Sequence, residues 1–344
     1  MIKHDYEYNT MIDLLRVIAT LCVFMLHVSI FSSSAYGFSF TNKSWFLQTP
    51  AWSAVWVFFV LSGYANGKSF ASGKYVFRLR DIIRFYYRRF IRVVLPCWIF
   101  TLYALLLVET DFLCENPNII LKIITLSYYN NPDNASIGAT WYVYSIVWLY
   151  ILTPIIARVL SPLVKYRDKT KWIILICTTA VGLLIRLATI KIGVEWQKIY
   201  VAFYMNLDLY IAGIIVAHMN HRERIVKSDK IGFLVAGLIG LLVINTRLYY
   251  VGNTLSSCLL IYQYVFPSVW LIFTSVYILI SSAGGYVLKL PKYIEKKLRI
   301  FSETSFYFYL VHSMIAAQIA PIFTGIKSAA LSHVLLLFFT GALA

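Results

Sequence analysis

Charge is what this sequence has least of. Only 13% of its 344 residues are Asp, Glu, Lys or Arg, about half the share of a soluble domain. That scarcity excludes a water-soluble globule of this length. Metal-ligand spacing is also missing. The five cysteines (Cys22, Cys97, Cys114, Cys177, Cys258) form no CxxC pair, and four of them stand in apolar stretches as small hydrophobes. No bound metal is expected. The apolar runs lack the polar–apolar alternation of barrel strands, which excludes a transmembrane β-barrel. The first apolar run is too long for a cleavable signal, and no small-residue cleavage site follows it. Internal repeats, low-complexity tails and any composition break that would mark a second domain are absent as well.

What remains is a single helical domain over 1–344, 60% hydrophobic and 17% aromatic. Runs near the length that crosses the hydrocarbon layer recur along it. Ten spans are expected, at about 11–33, 50–70, 90–109, 138–157, 172–190, 199–218, 231–247, 262–283, 302–322 and 329–344. The expected fold is therefore an all-α, polytopic membrane bundle of about ten transmembrane helices with both termini cytoplasmic. The formal charge of +16 fits this frame. Most basic residues fall in alternate connections, such as Lys68–Arg92, Arg158–Lys171, Arg222–Lys230 and Lys289–Arg299. This positive-inside pattern needs no nucleic-acid partner. The longest outer connection runs over about 110–137, and its stretch "NIILKIITLSYY" is short for a full span.

The first span, "IDLLRVIATLCVFMLH" over 12–27, carries three ionisable side chains, Asp13, Arg16 and His27. Each such group costs several kcal/mol in hydrocarbon, about 2.5–3.5 at a helix centre on insertion scales. Arg16 and His27 are eleven residues apart, almost three whole turns, so they share a helix face about 16 Å apart along the axis. Asp13 lies within pairing reach of Arg16. Two readings stand for Arg16: a snorkelling anchor paired with Asp13, or a cation serving a site. Two also stand for His27: a structural hydrogen bond to a neighbouring helix, or a functional imidazole in a membrane pathway.

Four further segments carry candidates. In "WVFFVLSGY" (56–64), Ser62 and Gly63 suit close helix packing, and Ser62 and Tyr64 are candidate substrate contacts. In "RRFIRVVLP" (88–96), Arg88, Arg89 and Arg92 are either ordinary inner-face charge or forks for phosphate oxygens. In "WYVYSIVWLYILTP" (141–154), Trp141, Tyr144 and Trp148 fall on one helical face, as a packing belt or a sugar platform. In "SFYFYLVHS" (305–313), His312 is a second histidine within a span.

Taken together, these residues resemble the integral membrane acyltransferase family 3, over nearly the whole chain. The family's first-helix signature, Arg, ten residues, His, is matched by Arg16 and His27. Its "FFxLSG" run is matched at 58–63 and its RxxR pair by Arg89 and Arg92 before Pro96. Its Trp followed thirteen residues on by Pro is matched by Trp141 and Pro154, and its "YLxH" run by 309–312. Members with an appended extracytoplasmic domain carry paired glutamates where this chain has Ile146 and Val147. In this it is similar to the short, single-domain sugar O-acetyltransferases, including the enterobacterial-common-antigen type.

The resemblance implies transfer of an acyl group, most simply acetyl, from cytoplasmic acyl-CoA to a sugar hydroxyl of an envelope polysaccharide or lipid-linked glycan, in the bacterial cytoplasmic membrane. It implies acetyl-CoA as donor and no permanently bound cofactor. His27, Arg16 and Asp13 are the catalytic candidates. Arg88, Arg89, Arg92 and Arg16 are candidates for the donor phosphates. Ser62, Tyr64, Trp141, Tyr144, Trp148 and His312 are candidates for the acceptor side. An imidazole titrates near neutrality and can take a proton from an attacking hydroxyl, or carry the acyl group itself. The rival reading is a transporter or flippase for a lipid-linked sugar. Against it stand the missing repeat and the missing pair of Gly/Pro-broken helices in matching positions.

Overall fold

The computed structural model describes residues 10–36, 51–128, 134, 136–219, 290–323 and 329–344. These are helical, with no strand among the described residues. In chain order they form α1 (Thr10–Tyr36), α2 (Ala51–Ala71), α3 (Leu79–Arg89), α4 (Leu95–Leu107), α5 (Thr110–Glu115) and α6 (Ile119–Ile124). There follow α7 (Trp141–Leu160), α8 (Asp168–Lys191), α9 (Trp196–Val201), α10 (Leu207–Ala217), α11 (Lys292–Ile319) and α12 (Ala329–Leu343). Four stretches among the described residues are long and apolar enough to cross a membrane: Leu79–Leu107, Gly138–Lys165, Asp168–Lys191 and Lys292–Phe323. The spans expected at 231–247 and 262–283 lie outside the described residues. The span expected over 199–218 is broken into α9, a 3₁₀ turn at Phe203–Asn206 and the 11-residue α10.

The third expected span is longer than its apolar run. α3 and α4 are one continuous helix joined by a π turn at Phe90–Val94. Pro96 explains the turn. A proline in a helix interior lacks an N–H and its ring presses on the carbonyl four residues back, here that of Arg92. Widening the helix at that point relieves the clash.

α2 and α10 run parallel and in close contact, and glycine makes this possible. A Cβ on Gly63 would overlap the Tyr210 carbonyl, and one on Gly67 would come 2.9 Å from Ile214 Cα. Gly63 and Gly67 stand four residues apart on one face of α2, the spacing that lets membrane helices approach most closely. The Ser-Gly step of the sequence thus has a packing role at its glycine.

α1 also packs against α11. Arg16 meets Ser302 and His27 meets His312. Both partners advance together along the two helices, so α1 and α11 are parallel. The main core is apolar and gathers side chains of α1, α2, α4, α7, α10 and α11. Behind it, α8 and α10 share a buried ion pair. Arg186 bonds Asp208 and, through Nε, the Met205 carbonyl at 3.1 Å. Their side chains are only 2% and 7% exposed, and Gly182 leaves the room the Asp208 carboxylate needs.

Candidate active site

The site is a seam between α1 and α11. At its lower level the Ser302 hydroxyl accepts a hydrogen bond from Arg16 Nη1 at 3.1 Å and donates to the Asp13 carboxylate. Arg16 Nη1 and Asp13 Oδ1 are 3.8 Å apart. The expected Asp13–Arg16 contact therefore exists, with Ser302 joined to both. Thr20 stays on its own helix, donating to the Arg16 carbonyl at 2.9 Å.

About three turns higher, His27 Nδ1 lies 2.7 Å from His312 Nε2, with the ring planes 14° apart. His312 Nδ1 lies 2.8 Å from the Tyr309 carbonyl and 3.2 Å from that of Phe308. A carbonyl can only accept, so His312 Nδ1 carries a proton. In the neutral ring its Nε2 is then an acceptor, and His27 Nδ1 must donate to it. This leaves the lone pair of His27 on Nε2. His312 is almost fully covered, at 1% exposure, and is flanked by the rings of Phe24 and Phe308. His27 keeps part of its surface open. His312 thus fixes the orientation of the His27 ring, whose Nε2 has no hydrogen-bond partner among the described residues.

Beside the pair stands an aromatic wall from three helices. The Tyr309 ring lies 5.7 Å from His312 and 5.8 Å from Tyr142, and its hydroxyl donates to the Ala139 carbonyl at 2.6 Å. Phe58 of the FFVLSG run packs on both tyrosines, and the Tyr142 hydroxyl meets Ser62. Ser62 thus joins the wall. Tyr64, two residues on from Ser62, is buried, with Lys68 over its ring at 5.9 Å.

The other aromatic candidates on α7 share a face by periodicity, yet each has a separate partner. Trp141 packs on Tyr200 with ring centroids 5.0 Å apart. The Tyr144 hydroxyl meets Thr101 Oγ1 at 3.3 Å. Trp148 donates Nε1 to the Leu126 carbonyl at 2.9 Å and stacks on Phe203. Leu126 has φ 58°, the left-handed region unusual for a side-chain-bearing residue. Trp148 thereby holds a strained corner of the connection between α6 and α7.

The arginines are not equivalent. Arg89 turns inward, donates to the Asn66 amide oxygen, and stands over the rings of Phe85 (5.4 Å) and Tyr150 (5.2 Å). Arg88 reaches Tyr75 Oη at 3.4 Å. Arg92 is exposed, because the π turn spreads positions three apart that a regular helix would align. Sequence reasoning did not find Asn66, Tyr150, Thr153, Tyr210 or Ser302. A polar residue between two glycines of one apolar span, as in "GYANG", is the signal that marks Asn66. Among the described residues no group of three His, Cys, Asp or Glu could hold a metal.

Comparison with known proteins gives one result. A family model described as an acyltransferase domain, of acyltransferase family 3, matches residues 9–344. No curated protein and no solved structure matches.

Proposed function

The chain belongs to acyltransferase family 3, and from that premise we propose that it moves an acyl group, most simply acetyl, from cytoplasmic acyl-CoA to a sugar hydroxyl of an envelope glycan. It is an integral membrane acyltransferase. The observation that supports the finer reading is the oriented His27–His312 pair. In this reading His27 Nε2 takes the proton of the acceptor hydroxyl as that oxygen attacks the thioester carbonyl. The carbon–sulfur bond breaks and CoA leaves as thiol. His312 acts by holding the productive tautomer, in the way a third residue orients the base of a hydrolase triad.

Ten spans with cytoplasmic termini put the Arg16 level at the inner mouth and His27 towards the far side. A donor then enters beside the arginines with its phosphates on Arg89 and the neighbouring cations. Its pantetheine arm runs along α1 past Arg16 to His27. The acceptor sugar comes from the other face and rests on the Phe58–Tyr142–Tyr309 wall, since aromatic faces suit the apolar faces of sugar rings.

Purified full-length protein in lipid nanodiscs, given acetyl-CoA and an envelope-glycan extract, should release CoA thiol and add 42 Da, about the mass of one acetyl group, to one sugar. A transporter would produce neither signal. Absence of both with folded protein and a complete extract would overturn the reading.

A further inference from the structure

Arg89 is a half-buried cation with an unusual set of partners. Among the described residues it forms no ion pair with a carboxylate. Its charge meets two aromatic rings and one neutral amide. That amide is held by a chain of hydrogen bonds with one direction. The Thr153 hydroxyl donates to the Leu149 carbonyl at 2.8 Å, so it accepts from the Tyr210 hydroxyl at 2.6 Å. The Tyr210 hydroxyl then accepts from Asn66 Nδ2, also at 2.6 Å. The Asn66 oxygen is therefore turned to Arg89 by a relay that ends on a backbone carbonyl. The parts come from α2, α7 and α10, and the close approach at Gly63 and Gly67 is what lets Tyr210 reach Asn66.

An aspartate would fit in the same place. It would also cancel the guanidinium charge in a setting where water screens little. Asparagine fixes the guanidinium with one accepted hydrogen bond and leaves the positive charge uncompensated, with the remaining N–H groups of the fork available.

We propose that Asn66 is the positioning residue for Arg89: it aims the guanidinium while keeping its charge free, and so makes this pocket selective for a phosphate-bearing ligand. The proposal rests on the reading of Arg89 as a donor-phosphate contact and goes one step past it, to the residue that sets its aim and its net charge.

The test uses full-length protein in nanodiscs, with acetyl-CoA as the probe for both binding and turnover. Arg89→Ala should weaken acetyl-CoA affinity about tenfold or more, the loss of a charge-assisted contact. Asn66→Asp should weaken it to a similar extent while thermal stability is kept or raised, because the new carboxylate pairs with Arg89. Added to Arg89→Ala, Asn66→Asp should then cost nothing more. Tyr210→Phe keeps the packing and frees the amide, so KM for acetyl-CoA should rise several-fold with kcat unchanged.

Wild-type affinity in a folded Asn66→Asp protein would overturn the proposal and leave Asn66 as an interhelical contact. If that variant does not fold, an unchanged KM in Tyr210→Phe overturns it equally. Wild-type affinity in Arg89→Ala would instead remove the donor-phosphate reading on which the proposal stands.

Discussion

His27 and His312, 285 residues apart in sequence, share one hydrogen bond of 2.7 Å, and its direction is set by the Tyr309 carbonyl on the far side of His312. A backbone group thus decides which nitrogen of His27 is basic. In the proposed mechanism His27 does the chemistry and His312 aims it, and the two roles can be told apart by kinetics.

His27→Ala should lower kcat by about 10²–10⁴-fold, the usual contribution of a general base, with acetyl-CoA affinity within a few-fold of wild type. His27→Gln keeps a hydrogen-bonding group but cannot exchange the proton, so it should be nearly as inactive. Stopped-assay thiol release and donor titration on the same preparations check this. A folded Gln variant with near-normal turnover would reduce His27 to a helix contact.

His312→Phe removes the acceptor of the His27 Nδ1 proton while keeping a ring between Phe24 and Phe308. It should depress kcat while leaving KM for donor unchanged. His312→Asn, which can still present an acceptor to His27, should recover part of the loss. Equal kcat values for the two variants would argue that His312 does not orient His27.

Arg89→Ala and Arg92→Ala should differ. Arg92 is exposed beyond the π turn, so its loss should weaken donor binding modestly, by under about 1 kcal/mol, and the effect should fade at high salt. Loss of Arg89 should cost more, about 1.5–3 kcal/mol, and persist in salt because its surroundings are partly desolvated. Donor titrations at two ionic strengths separate them.

Arg186→Leu leaves the Asp208 carboxylate buried without its partner and should destabilise the protein by about 3–5 kcal/mol. Gly182→Ala should act in the same direction by pushing the carboxylate out of place. Pairing Arg186→Leu with Asp208→Leu should regain much of the loss, since a well-packed apolar pair often matches a buried ion pair. Thermal unfolding in a fixed detergent reads all three.

Much of this was legible in the sequence, for identifiable reasons. Helical periodicity alone aligned Arg16 with His27, because eleven residues is nearly an integral number of turns. It also placed Asp13 beside Arg16. Periodicity said nothing about α11, since partners across 285 residues leave no local trace. Ser302 was thus missed, and His312 appeared only as an isolated histidine. The RxxR pair illustrates a different limit. One-turn spacing promised a shared face for Arg89 and Arg92, but Pro96 forced a π turn between them and separated their surroundings. On α7 the periodicity of Trp141, Tyr144 and Trp148 held, while their partners diverged among α9, α4 and the connection between α6 and α7. Asn66 escaped because a lone amide in an apolar span looks like interhelical glue until its neighbour proves to be a cation with no carboxylate partner among the described residues.

The parallel course of α1 and α11 imposes a parity rule on everything between them. In the proposed topology both cross the bilayer, and two helices that enter it from the same face must have an odd number of crossings between them. Removing or adding one crossing between Tyr36 and Lys292 would turn α11 over, bringing Ser302 to the level of His27 and His312 to that of Arg16. Crossings in that interval can therefore be gained or lost only in pairs if the seam is to survive. A circular permutation or fusion that respects this count keeps the two matched contacts, whereas one that breaks it loses both at once.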